Sequence, residues 1–272
     1  MKPVYKQMIG AGLSAASILA ATQVRAEGDW EGSVGAGVFR APEYLGSSES
    51  TTSGFPMFEL TWRDRLFIGP GGIGGYVFNT EEFSLSASIG YDGGRDEADS
   101  VFLRGLGNID GGVTYNLGFE YEFGPVTPYL EVTKYSKGSE GLSATIGVEG
   151  MVPLRVLTGR ASFASLEEGG SPLDMGPMLT AGISADWGDD DFNGAYYGVT
   201  ATQSAASGLG RYTATSGFHA INFDIGIQVP VTERFSVGGA VTHSVLTGDA
   251  KDSTIVRDTS GTSVGLFGVY RF

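Results

Sequence analysis

Apolar and polar residues alternate in several stretches of the chain, most clearly in Gly112–Phe123. The apolar series there is Val113, Tyr115, Leu117, Phe119, Tyr121 and Phe123, and the residues between are Thr, Asn, Gly and Glu. The same alternation recurs in Phe83–Tyr91, Val126–Tyr135, Leu142–Gly150, Met178–Trp187 and Ile221–Val229. A period of two is that of a β-strand with one apolar face. The pattern therefore predicts an all-β protein.

The polar positions of these strands indicate where the apolar face points. A water-soluble barrel or sandwich would carry many Lys and Glu residues toward solvent. Here the polar positions are mostly Ser, Thr, Gly and Asn with scattered acids and almost no Lys. Small polar residues fit a narrow wet interior, while large apolar and aromatic residues face lipid. We therefore expect a transmembrane antiparallel up-and-down β-barrel.

The last stretch, Thr262–Phe272, fits this interpretation. Its alternate residues are Val264, Leu266, Gly268, Tyr270 and Phe272. A closed barrel must pair its last strand with its first to remove the sheet edge, so we expect Thr262–Phe272 to pair with Trp30–Phe39. The pattern is also similar to the C-terminal signal of bacterial outer-membrane barrels.

The connections predict about twelve strands, within a range of 10–14, with both ends of the barrel domain in the periplasm. Short turns are expected at Gly124-Pro125, Val152-Pro153-Leu154 and Thr232-Glu233-Arg234, and longer outside loops at Asp92–Ile109, Leu166–Gly176, Ala205–Ser216 and Thr247–Gly261. Besides Trp30–Phe39, strands are expected to begin near positions 73, 82, 109, 126, 141, 154, 177, 194, 217, 233 and 262. Phe55–Ile68 is ambiguous: it is either a long extracellular excursion or a further hairpin turning at Arg63-Asp64. Gly69–Gly75 is interpreted as a bend or bulge, because it lacks the Lys-Ser/Thr of a nucleotide-binding loop.

The N-terminus predicts export. Lys2 and Lys6 precede the apolar stretch Met8–Ala21, and Val24-Arg25-Ala26 resembles a cleavage site. We expect residues 1–26 to be a signal peptide and residues 27–272 to be one outer-membrane barrel domain. No later stretch is apolar and long enough for a spanning helix.

The charge and the cysteine content limit which partners the protein can bind and how it can be stabilised. The chain has 17 basic and 31 acidic residues and no Cys, so disulfides cannot stabilise it. Removal of residues 1–26 would take away three basic residues and no acid. Such an acidic surface disfavours nucleic acid as a partner. Outer-membrane lipid is the expected partner.

Three groups of residues are candidates for catalysis, metal binding or transport. His219 and His243 share parity with outward-facing residues and are expected at the lipid interface, with no Ser partner assigned to either. Asp189-Asp190-Asp191 is interpreted as a solvated turn rather than a Ca²⁺ site, and Asp92–Glu97 and Asp249–Asp252 as polar loops. We expect no enzymatic activity and no catalytic, cofactor-binding or metal-binding residue. The interior is expected to hold Glu120, Glu122, Glu131, Glu149, Asp186, Asp224, Arg160 and Arg271, which would either line a small cation-preferring diffusion channel or form a plugging network.

Several linking segments together resemble one family. They are Ala41–Ser47, Gly94-Arg95, Leu103–Ile109, Tyr196–Val199, Ser207–Leu209 with Tyr212, Leu246–Ser253 and Tyr270–Phe272. In this order they resemble the MltA-interacting protein family, also called the MipA/OmpV family, over residues 28–272. The chain departs from the common pattern at Asn108, where Asp is usual, and at Thr254, where Pro is usual.

The resemblance implies a Gram-negative outer-membrane protein that acts as a structural and interaction protein. It implies a scaffold for cell-wall enzymes, with a murein hydrolase or synthase as partner, and it supplies no catalytic residues. A surface antigen or adhesin is the alternative that the resemblance leaves open. The scaffold must meet its partners from the periplasm, where the sequence predicts only short turns.

Overall fold

The computed structural model describes residues 29–162 and 171–272. The expected signal peptide, residues 1–26, lies outside these residues. In the described part of the chain, twelve antiparallel strands follow one another around a closed barrel, and the last strand pairs with the first. The predicted fold class and strand number are therefore confirmed. No helix within the described residues is long and apolar enough to cross a membrane.

The strands are β1 (Trp30–Pro42), β2 (Ser50–Trp62), β3 (Leu66–Gly69), β4 (Gly72–Asn79), β5 (Phe83–Asp92), β6 (Gly112–Tyr121), β7 (Val126–Tyr135), β8 (Leu142–Pro153), β9 (Met178–Gly188), β10 (Gly217–Pro230), β11 (Phe235–Leu246) and β12 (Ser260–Arg271). The helices are α1 (Leu154–Leu157), α2 (Pro172–Met175), α3 (Asp190–Tyr197), α4 (Ala201–Ser207) and α5 (Gly248–Lys251). Two 3₁₀ turns lie at Glu97–Asp99 and Val101–Leu103.

The two faces of the strands differ as the alternation predicts. Large apolar side chains point outward and are more than half exposed, as at Val38, Ile89, Leu117, Ile225 and Leu266. Small polar side chains point inward and are buried, as at Ser33, Thr114, Ser184, Asn222 and Thr242. In a lipid bilayer the outward residues form the apolar belt that holds the barrel in place.

The seam between β1 and β12 closes the barrel as expected. Their register runs from Ser33 opposite Arg271 to Arg40 opposite Val264. Beyond β12, Phe272 exchanges two backbone hydrogen bonds with Gly32, at 3.1 and 2.9 Å. The Phe272 ring lies so close that a Cβ on residue 32 would stand 2.8 Å from it. Gly32 therefore makes room for the last residue of the seam.

Two expected strands are helices instead. The strand expected near 194 is α3, whose N-terminus is capped by Asp189 accepting from the Phe192 N–H at 2.8 Å. The strand expected near 154 is α1, which follows Pro153 directly. Phe55–Ile68 supplies the missing strands: β2 and β3 form a hairpin around Arg63 and Asp64. Both turn residues have positive φ, 51° and 52°, as a tight right-twisted hairpin turn requires.

The connection between β8 and β9 is the longest at its end of the barrel, and it differs from the prediction. β8 ends at Pro153 and β9 begins at Met178, and the Leu154 N–H donates to the Pro177 carbonyl at 2.7 Å. Residues 154–177 therefore leave and return at the end of the barrel that holds Asp29 and Phe272, which we call the terminal end. The expected turn at Val152–Leu154 is wrong, because α1 and not a strand follows Pro153 directly. Of the expected outside loop at Leu166–Gly176, residues 171–176 lie at this terminal end, against the prediction, and residues 166–170 are not among the described residues.

The opposite end, which we call the loop end, carries residues 43–49, 93–111, 136–141, 189–216 and 247–259. Residues 70–71 also turn toward this end, as the tip of the short β3–β4 hairpin. Gly72 after this tip has φ 107°, a conformation that glycine adopts readily. The bend expected at Gly69–Gly75 is this hairpin.

Candidate functional site

Four of the connections at the loop end pack together over the barrel, and we call residues 43–49, 93–111, 189–216 and 247–259 the cap. Two apolar clusters hold it together. The first contains Tyr197, Ala214, Ala220, Leu246 and Ala250, and the second contains Leu103, Leu106, Val199 and Ile255. Partly buried Tyr212 packs against both. The expected polar loops are therefore a folded layer with its own core.

Most of the segments that carry the family resemblance meet in this cap. Leu103–Ile109 reaches α4, where the Gln203 side-chain amide donates to the Leu106 carbonyl at 2.7 Å. A Cβ on residue 105 would lie 2.7 Å from the Ala206 backbone. Glycine at position 105 therefore allows this loop to lie against α4.

Arg95 lies under the cap and is 8% exposed. Its guanidinium donates to the Tyr196 carbonyl at 2.9 Å and stands 5.9 Å from the centre of the Tyr196 ring. The Tyr196 hydroxyl reaches Asp92 Oδ2 at 3.4 Å. Burial lowers the pKa of Arg95 and raises that of Tyr196, whose neighbour Asp92 raises it further. The group is a buried polar contact that joins β5 to α3.

Glu97 organises the loop that contains Leu103–Ile109. Its carboxylate accepts from the N–H groups of Gly105 and Gly107 at 2.9 and 3.0 Å. Its own N–H donates to Asn108 Oδ1 at 2.9 Å. The departure at Asn108 thus retains a side-chain oxygen acceptor, as an Asp would. Glu97 has a structural role in the cap.

The segment 247–259 is tied to its neighbours by hydroxyl groups. Tyr44 and Tyr212 donate to the carbonyls of Ile255 and Asp249 at 2.9 and 2.7 Å. Ser253 donates to the Tyr197 carbonyl at 2.5 Å, and Thr254 donates to the Gly210 carbonyl at 2.8 Å. The departure at Thr254 therefore supplies a hydrogen bond that proline cannot make.

The acidic stretch at 189–191 begins a helix and is not a simple turn. Asp189 accepts from the N–H groups of Phe192 and Leu142, both at 2.8 Å, and thereby fixes α3 to β8. Asp190 accepts from the Ser216 N–H. Within residues 29–162 and 171–272, no three His, Cys, Asp or Glu side chains are grouped to hold a metal ion.

The two histidines lie on opposite faces of the wall. His243 points outward as expected, and its Nδ1 lies 3.0 Å from Thr262 Oγ1. The prediction for His219 is wrong: it is 5% exposed and its ring lies against Phe192, with centroids 5.4 Å apart. The β9–β10 register shifts between Phe218 and Ala220, which reverses the parity at this point.

Acidic side chains line the interior on β6 to β10, as predicted for Glu120, Glu131, Glu149, Asp186 and Asp224. Asp186 accepts from Thr145 Oγ1 at 2.8 Å and from Asn222 Nδ2 at 2.9 Å. Thr242 donates to Asp224. Asp186 and Asp224 are therefore held by hydrogen bonds to polar side chains of neighbouring strands.

Two charged residues expected in the interior are not part of a strand. Glu122 follows the end of β6 in a turn at the terminal end. Arg160 is exposed beyond α1. Arg271 does face inward as expected, in the row that contains Ser33 and Glu59.

Sequence reasoning missed an apolar interior wall on β12, β1 and β2. Phe39 is 4% and Val269 1% exposed, and both point inward with Phe55, Met57 and Phe267. The glycines opposite the rings are the signal that was overlooked. A Cβ on Gly37 would stand 2.6 Å from the Phe55 ring, and one on Gly238 2.4 Å from the Phe267 ring.

A family model described as MltA-interacting protein MipA matches residues 34–272. No curated protein sequence matches the chain. Among solved structures, it is similar to an outer-membrane channel of Pseudomonas putida F1, with 13% identity, TM-score 0.45, and 93% of this chain and 98% of that chain covered.

Two further similar structures are the channel DcaP of Acinetobacter baumannii and OmpT of Vibrio cholerae. DcaP has 9% identity and TM-score 0.39, with 89% and 96% of the two chains covered. OmpT has 9% identity and TM-score 0.37, with 90% and 97% covered.

Proposed function

This chain belongs to the MltA-interacting protein (MipA) family, and on that premise we propose that it docks a murein hydrolase or synthase at the periplasmic face of the outer membrane. It is an outer-membrane β-barrel protein. The family is named for an interaction with MltA, and the proposal extends an interaction of that kind to this chain. The residues that would make this interaction lie at the terminal end of the barrel.

Outer-membrane barrels keep short turns in the periplasm and longer loops outside. By this rule the cap faces the exterior and the terminal end faces the periplasm. The turns 63–65, 80–82, 122–125 and 231–234 are short, and residues 154–177 are the exception. A long connection at the end of the barrel that otherwise has short turns is not needed to anchor the protein in the membrane.

The observation that carries the proposal is the apolar surface of this connection. Leu157 of α1 is 60% exposed and Leu173 of α2 is 46% exposed. Ser171 donates to Glu233 at 2.5 Å, which holds α2 beside the turn that contains Val231, 53% exposed. Exposed apolar groups rimmed by polar residues are typical of interaction sites. We call Leu157, Leu173 and Val231 the docking patch.

Replacing Leu157 and Leu173 by Glu is expected to weaken binding of the cell-wall enzyme by about a hundredfold or more. Central apolar contacts at interfaces are worth roughly 1–3 kcal/mol each, and a carboxylate at such a contact loses its hydration. The measurement is recovery of murein hydrolases and synthases with the solubilised protein. Val101→Glu is the matched control, because Val101 is 61% exposed on the cap.

Equal recovery with the Leu157→Glu/Leu173→Glu variant and the wild type would contradict the docking patch. Recovery of a surface ligand in place of a cell-wall enzyme, lost with Val101→Glu alone, would place the interaction on the exterior. That result would favour the alternative role of a surface antigen or adhesin.

A second candidate function is a small cation-preferring diffusion pathway. The inward acids on β6 to β10 favour it, since rings of carboxylates select cations. In this arrangement the cap would control access from the exterior. Conductance of a variant with a loosened cap tests this candidate.

A further inference from the structure

The barrel wall is incomplete on one side, on the loop-end side of the β3–β4 hairpin. β3 pairs with β2 only over Leu60–Trp62, and β4 pairs with β5 no closer to the loop end than Ile89. β2 itself begins at Ser50, and β5 ends at Asp92. Among the described strands, none pairs with Ser50–Glu59 on the side away from β1.

Part of this free edge lies at the depth of the lipid-facing belt. The outward apolar residues of β1 extend from Trp30 to Val38. Their partners on β2 are Trp62 and Gly54. Gly54–Phe58 is therefore level with the belt, and at about 3.4 Å per residue it leaves roughly 17 Å of strand without a second neighbour.

The width of the opening is set by β3 and β4, which do not extend further toward the loop end. β2 and β5 are separated by two strands at the level of the hairpin, and at about 4.8 Å per spacing this leaves roughly 14 Å between them. Unpaired strand edges are not tolerated in hydrocarbon unless they line a polar or water-filled space. The free edge therefore requires contact with the wet interior, which connects the interior to the membrane at this point.

The rim of the opening has two kinds of surface. Its outer side continues the lipid-facing belt through Phe58, Ile73, Ile89 and Tyr91, which are 45–69% exposed. On its hairpin side, Ser88 Oγ and Asn116 Nδ2 donate from inside the barrel to the Gly71 carbonyl, at 3.1 and 3.3 Å.

Two of the β2 side chains that point inward beside the free edge are apolar. Phe55 and Met57 of β2 point inward. The rings of Phe55 and Phe39 meet edge to face with centroids 5.5 Å apart. A hydrocarbon chain that entered here would lose contacts with surrounding lipid and gain contacts with the aromatic rings and the Met57 thioether.

We infer that this opening admits the acyl chain of a lipid from the surrounding membrane into the barrel interior, against Phe55 and Met57. The opening is continuous with the surface that already contacts lipid, and its two flanks match an amphiphile: apolar on β2 and polar at Ser88 and Asn116. A strand of another protein is a poor occupant of the same edge. Pro56 stands in its middle and lacks the N–H that an added strand would need.

The test uses the full mature protein in vesicles that contain a phosphatidylethanolamine with a diazirine in one acyl chain. After illumination, adducts are located by mass spectrometry of peptides. We expect adducts on the inward residues Phe55 and Met57 as well as on outward residues such as Val38. Adducts on outward residues only would overturn the inference.

A blocking variant makes the test specific to the opening. Gly71 lies at the hairpin tip, and a Cβ there would meet no atom within 4 Å, so Gly71→Trp narrows the opening without a clash. It is expected to reduce adducts on Phe55 and Met57 several-fold and to leave those on Val38 unchanged. Gly194→Trp, in equally open space on α3, is the control and should reduce neither. Equal inward labelling in both variants would contradict entry through this gap.

Discussion

Deletion of Phe272 is expected to lower the amount of folded barrel in the outer membrane by about tenfold or more. Its backbone exchanges two hydrogen bonds with Gly32 at the seam. Leaving the Gly32 groups unpaired costs roughly 1–3 kcal/mol each, and each 1.4 kcal/mol changes a population about tenfold. The deletion therefore weakens the pairing of β12 with β1, which closes the barrel. The measurement is heat-modifiable gel migration of outer-membrane fractions.

Two variants serve as controls for this deletion. Phe272→Leu retains the backbone bonds and an apolar side chain, and should assemble at an intermediate level. Phe123→Ala removes an aromatic side chain that is 73% exposed at the terminal end and outside the seam, and should assemble normally. Normal assembly after deletion of Phe272 would show that the seam does not depend on its last residue.

Gly105→Ala is expected to separate the loop 93–111 from α4 while the barrel remains folded. Position 105 has φ 82°, and its Cβ would stand 2.7 Å from the Ala206 backbone. Backbone atoms this close must move apart, and strain of this kind costs roughly 1–3 kcal/mol. The measurement is the rate of proteolysis within residues 93–111, which should rise about tenfold or more.

Gly107→Ala is the control that separates the effect of the clash with α4 from the effect of backbone strain. Position 107 has φ 73°, but its Cβ would meet nothing within 4 Å. It therefore carries a similar conformational cost without the clash, and its proteolysis should rise much less. Equal rates for the two variants would show that contact with α4 does not hold the cap together.

The same pair of variants tests the diffusion pathway in planar bilayers. A cation pathway controlled by the cap should give cation-selective openings that are more frequent in Gly105→Ala than in Gly107→Ala. The absence of openings in both variants would remove this second candidate function.

The sequence predicted the parts of the barrel where one strand face is uniformly apolar. β6 alternates over its whole length, because each of its outward residues meets lipid. β2 was ambiguous, since Gly54 and Pro56 interrupt its outward face. Its apolar inward residues Phe55 and Met57 also reverse the parity expected of a polar interior.

The cap could not be predicted because its structure depends on distant contacts. Gly194–Val199 contains residues that suit a strand, but Asp189 binds both Phe192 and Leu142 and thereby begins α3. His219 was placed on the wrong face because a one-residue shift in register leaves no mark in the alternation. The motif segments were recognised by sequence, but their convergence in one layer is a property of the fold.

Site-specific photocross-linking in living cells tests the proposed function most directly. A photoreactive benzoyl-phenylalanine is placed at Leu173 on the docking patch and, separately, at Val101 on the cap. Docking at the periplasmic face predicts that the residue at 173 cross-links a murein hydrolase or synthase and that the residue at 101 does not. Cross-links to a surface ligand from 101, with none to a cell-wall enzyme from 173, would contradict it.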